Sequence, residues 1–182
     1  MNSSWDRRIE HLRSLAKGLT AAAVIGSAAP VAGAPSAGKS TLVEASWAAY
    51  QAGDYQSAVR GFKLLARKGV VKAQTNLGYM YALGKGVAID LKESAYWLRM
   101  AAERGHSGAQ TTLGLYYYNG EGLSRDIVAA HAWFSIAAAS GHPQADDYER
   151  LCAEKMTPAE LDAAHTLAKR LYARFGEKRN LW

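Results

Sequence analysis

Shifted against itself by 36 residues, the sequence places residues 73–108 on residues 109–144 without a gap, and 14 of those 36 positions are identical. A fixed period of this length constrains the fold more than any single motif does. Each copy has to be one supersecondary unit, too small to bury its apolar side alone, that gains a core by stacking on the next copy. The shared skeleton is A-Q-T-x-L-G-x-x-Y-x-x-G-x-G-[VL]-x-x-D, six variable residues, then W-x-x-x-A-A-x-x-G-H. With 49% hydrophobic residues in 182, the chain has enough apolar material for such a core.

Each shared position has a mechanical reason. Ala73, Leu77 and Tyr81 recur every fourth residue and so line one side of a helix, helix A, while Gly78 leaves room for a neighbouring helix to come close. Gly84-Lys-Gly86 and Gly120-Glu-Gly122 end that helix. Asp90 and Asp126 stand where an N-cap is wanted for a second helix, helix B. Its inward side reads as Ser94, Trp97, Leu98 and Ala101 in one copy and Ala130, Trp133, Phe134 and Ala137 in the other. Gly105 and Gly141 close the unit. Tyr81, Tyr117, Trp97 and Trp133 are expected in the core.

The L-G-x-x-Y, G-x-G-[VL]-x-x-D and W-x-x-x-A-A-x-x-G elements closely resemble the Sel1-like repeat family, relatives of the tetratricopeptide repeats, over about residues 40–175. The resemblance implies an all-α fold, a right-handed α-solenoid of antiparallel helix pairs. Residues 38–70 are read as a tetratricopeptide-like pair turning at Gly53-Asp54, and residues 71–144 as two Sel1-like repeats. Residues 145–182 are read as capping helices. Thr157-Pro-Ala-Glu160 gives the second of these a capping box, with Leu161, Ala164, Ala168, Leu171 and Phe175 on one side and Lys169, Arg170 and Arg174 on the other.

Residues 1–37 read as an address. A basic stretch with Arg7, Arg8, Arg13 and Lys17 precedes an Ala-rich apolar run and the small residues Ala32-Gly33-Ala34, the layout of a cleaved secretory signal peptide followed by a linker; a cytosolic leader is the alternative. The run, broken by Gly26 and Pro30, is short for a permanent span, which needs about 20 apolar residues. Two of the six net positive charges belong to this leader, and the mild remainder favours solubility over nucleic-acid binding. Gly33-Ala-Pro-Ser-Ala-Gly38-Lys39-Ser40 matches the phosphate-binding pattern G-x-x-x-x-G-K-[ST]. Its setting argues against that use, since no strand pattern precedes it and none follows.

The resemblance implies an adaptor or regulator that binds a peptide or protein in a concave groove, with no catalytic residues and no cofactor. By register with tetratricopeptide repeats, the groove-facing positions are Trp47, Tyr50, Lys72, Asn76, Tyr79, Thr112, Leu115 and Tyr118. Aromatic rings and amides suit peptide capture. An envelope location follows from the leader, and the partner's identity is open. Cys152 has no second cysteine to pair with. No metal site is expected: His106 and His142 share a repeat position, but stacked units stand roughly 10 Å apart, too far for both to reach one zinc ion at about 2 Å. His131 and His165 are placed on helix faces. Binding of anions or a membrane surface by the basic last helix is the remaining alternative.

Overall fold

A computed structural model of the chain describes residues 39–179, and among these every regular element is helical. Eight helices follow one another among the described residues: α1 (Lys39–Gln51), α2 (Tyr55–Arg67), α3 (Val71–Leu83), α4 (Leu91–Ala102), α5 (Ser107–Asn119), α6 (Ile127–Ala139), α7 (Ala145–Ala153) and α8 (Pro158–Arg179). Each packs on the next through α7, and α8 returns to lie on α6. This is the α-solenoid that the repeat implies, with α1, α3 and α5 as A helices and α2, α4 and α6 as B helices. The leader, residues 1–37, and all but the last two residues of the G-x-x-x-x-G-K-S segment lie outside the described residues. Lys39 and Ser40 open α1.

Local chemistry sets the boundaries. The carboxylate of Asp54 accepts the Ser57 N–H at 3.1 Å, that of Asp90 accepts from Lys92 and Glu93 at 2.9 and 3.0 Å, and that of Asp126 accepts from Ala129 at 2.9 Å. All three cap B helices, each worth about 1 kcal/mol. The A helices α3 and α5 end at Gly84 and Gly120 in the left-handed conformation. Thr157 and Glu160 form the reciprocal capping box: the Thr157 N–H donates to Glu160 at 2.8 Å and the Glu160 N–H to Thr157 at 3.3 Å.

Packing between units repeats with the sequence. Gly78 and Gly114 let α3 and α5 press on their B partners: a Cβ on them would stand 2.7 Å from Leu98 Cγ and 2.6 Å from Phe134 Cε1. The second loop glycine does something different. Gly86, at φ +72°, seats its loop on the backbone of Tyr55, and Gly122, at φ +68°, does so on Leu91; Tyr55 and Leu91 are the first residues of the preceding B helices. The Gln of A-Q-T also reaches back one unit. The Gln74 amide donates to the Ala66 carbonyl at 3.1 Å and the Gln110 amide to Ala102 at 3.0 Å, supplying partners for carbonyls at the ends of α2 and α4.

The core forms two apolar clusters, one around Phe62, Leu77 and Met80 and the other around Leu98, Leu113, Trp133 and Phe175. Trp97 and Trp133 are buried as expected. Tyr81 and Tyr117 are only half-buried, a correction: each packs against a core cluster and is also met by a cation from a B helix. Lys63 Nζ lies 5.4 Å from the Tyr81 ring centre, and Arg99 donates to the Tyr117 hydroxyl at 2.8 Å. At the C-terminal end Phe175 of α8 stacks on Trp133 and Tyr148 of α7 on Phe134, with ring centres 5.5 and 5.1 Å apart.

Candidate functional site

The positions expected to face a groove divide into two sets. Lys72 is exposed, and Trp47, Tyr50, Tyr79 and Tyr118 are half-buried, each on an A helix. Asn76, Thr112 and Leu115 are buried, at 8%, 6% and 6% exposure, so they leave a partner little surface. The polar pair among them is also turned to its own helix. Asn76 Nδ2 donates to the Lys72 carbonyl at 2.7 Å, and Thr112 Oγ1 donates to the Gly108 carbonyl at 2.9 Å. The reason is the closeness of successive A helices: the Tyr79 hydroxyl of α3 reaches across to Thr112 of α5 at 3.4 Å. Burial raises the Tyr79 pKa, so its hydroxyl stays a neutral donor and acceptor.

The half-buried aromatic residues are braced. Trp47 and Tyr50 pack edge-on at 6.1 Å between ring centres, and Trp47 sits on the core residue Phe62 at 5.3 Å. Lys85, two residues past α3, lies over the Tyr50 and Tyr55 rings at 5.3 and 5.1 Å and donates to the Tyr50 hydroxyl at 3.3 Å. Lys155, two residues past α7, repeats the arrangement on Tyr118, with its Nζ 5.1 Å from the ring centre. An aromatic ring held on one edge by the core and on the other by a cation loses little rotamer freedom on binding, which is what makes such residues effective anchors.

The groups that could do chemistry have structural duties. His106 Nδ1 accepts the Ala109 N–H at 3.1 Å and caps α5. Cys152 is fully buried, and burial pushes its thiol up to about 12, so it stays protonated and unreactive. Among the described residues no three His, Cys, Asp or Glu side chains are arranged to hold a metal ion, and no helix is long and apolar enough to cross a membrane. His131 lies on α6 with its ring turned inward, at 2% exposure. Lys169, Arg170 and Arg174 are exposed on α8.

The Sel1 repeat family model matches residues 71–106 and 107–142. A Sel1 repeat protein of Oxalobacter formigenes is 32% identical, superposes with a TM-score of 0.56, and is covered over 98% of its length by 79% of this chain. The chain belongs to the Sel1-repeat family. A protective antigen of uropathogenic Escherichia coli displaying an SLR fold is 31% identical over 78% of the chain, with a TM-score of 0.71; the chain spans about a third of that protein's length, 31%. No curated protein matches the sequence. Sel1-repeat proteins generally serve as protein–protein interaction modules and are typically non-enzymatic scaffolds. The matched intervals run from the start of each A helix to the end of the following B helix, so the family repeat is the structural unit described above.

Proposed function

We propose that this Sel1-repeat chain is a non-enzymatic adaptor that binds a peptide or protein segment along its A-helix face, in the bacterial cell envelope after removal of its leader. The observation that carries the reading is the placement of aromatic side chains. Most B-helix rings, Phe62, Trp97, Trp133 and Phe134, are consumed by the core, with Tyr55 half-buried and Tyr96 exposed as the exceptions, whereas Trp47, Tyr50, Tyr79 and Tyr118 of the A helices keep part of their surface open beside exposed Lys72. Interfaces draw their energy from such fixed rings. The envelope location rests on the composition of residues 1–37.

A binding test follows directly. Peptides selected from a random displayed library on the purified chain should lose roughly tenfold or more in affinity to Tyr118→Ala, the size expected of an aromatic hot spot, and should respond to Lys72→Glu. Arg170→Glu, on α8, should leave affinity unchanged. The reverse pattern, with affinity that falls steeply as salt rises, would instead assign binding to the basic surface of Lys169, Arg170 and Arg174. For location, a native N-terminus within residues 34–38 outside the cytoplasm supports the proposal, and an intact Met1 in the cytoplasm refutes it.

A further inference from the structure

The three B helices carry Val59, Ala95 and His131 at one position of the 36-residue register, and all three side chains are buried, at 4%, 1% and 2% exposure. Two units fill this place with an apolar group and the third with an imidazole. His131 is also the only titratable residue of α6, whose sequence is IVAAHAWFSIAAA. What distinguishes the third unit is its neighbour. Val59 and Ala95 belong to pairs followed by another repeat, while His131 lies where α6 meets both capping helices.

Its surroundings suit the neutral ring and not the charged one. His131 Nδ1 is buried and has no hydrogen-bond partner. Nε2 stands 3.9 Å from Glu149 Oε1 of α7, beyond hydrogen-bond length. From α8, His165 packs edge-on against the ring, with centres 5.4 Å apart. Cys152, buried on α7 near Glu149, is a neutral thiol, and α5, the other helix against α6, supplies no charge that acts on His131. His142, just before α7, has a second buried and unpartnered Nδ1.

We propose that His131 is a proton-sensitive latch, so that acidification releases α7 and α8 from α6 and uncovers the apolar surface centred on Trp133 and Phe134. Protonation would place two N–H donors in a site that offers one distant carboxylate on one side and the imidazole of His165 on another. Burial lowers the His131 pKa from 6.5; Glu149 opposes that shift and His165 adds to it, and the net direction is down. The opened chain, where the ring meets water, takes the proton near 6.5, while the closed cap resists it to lower pH. The latch is therefore closed above pH 6.5 and weakens below it, by up to about tenfold at pH 5.5 for a single histidine.

Amide hydrogen exchange of the full chain at pH 7.5 and 5.5, corrected for the intrinsic pH dependence of exchange, tests this. Protection in α7 and α8 should fall at pH 5.5 towards the limit of about tenfold, with α1 to α4 little changed. His131→Ala, which installs the residue of Ala95, and His131→Gln should remove most of the step whatever they do to absolute protection, leaving at most the smaller share of His142, and His165→Gln should retain most of it. The proposal fails if the cap keeps its protection at pH 5.5, if protection falls equally throughout the chain, or if most of the step survives in both His131 variants, which would assign it to His142 or His165.

Discussion

Replacing Gly122 by alanine should cost far more stability than replacing Gly141, although both have positive φ, +68° and +77°. Alanine in the left-handed region costs about 1–2 kcal/mol at either site, and both changes share the same small gain from a stiffer unfolded chain. The surroundings then separate them. Nothing lies within 4 Å of a Cβ on Gly141, whereas one on Gly122 would collide with the Leu91 carbonyl and come within 2.9 Å of Leu91 Cβ. That obstacle is the backbone at the first turn of α4, so no rotamer change relieves it. Overpacking of this kind adds about 1–3 kcal/mol, for a total near 2–5 kcal/mol at Gly122 against about 1–2 at Gly141. Urea unfolding followed by tryptophan fluorescence and circular dichroism measures both. Equal losses would show that the loop does not rest on the preceding unit and would refute the inter-repeat packing described here.

Other expectations can be checked on the same preparation. Gln110→Ala should cost about 1 kcal/mol in urea unfolding, because it removes one of two donors to the Ala102 carbonyl, which keeps the Gly105 N–H at 2.9 Å. Thr157→Ala should cost about 1 kcal/mol through loss of the α8 capping box. Burial lowers the pKa of His106, His131 and His142 alike. Their stabilising contribution is thus complete above pH 6.5 and lost as pH falls through their folded-state values, so the unfolding free energy should drop by about 1–3 kcal/mol between pH 7.5 and 5.5. A flat profile over that range would contradict it.

The fold was legible because its boundaries are written in residues with local jobs: the Asp90 and Asp126 caps, the Gly84 and Gly120 helix ends, the Thr157–Glu160 box. The candidate site was legible only in part. Helical register located Trp47, Tyr50, Lys72, Tyr79 and Tyr118 on A helices, but burial of Asn76, Thr112 and Leu115 depends on how closely neighbouring A helices approach, a distance no one-dimensional pattern contains. The cations over Tyr81 and Tyr117 come from other helices and were equally out of reach. Two features did leave a signal. The Gln of A-Q-T is polar at a position flanked by core residues in both copies, which marks a buried hydrogen bond. His131 breaks a register that otherwise holds Val59 and Ala95, which is enough to predict its burial.

The central claim concerns which side of the solenoid meets a partner. With a selected peptide bound at saturation, amide exchange across the chain reads this directly. The account predicts slower exchange in α1, α3 and α5, around Tyr50, Tyr79 and Tyr118, with α2, α4 and α6 unchanged. Protection gained on the B helices or on α8, with the A helices unaffected, would contradict it.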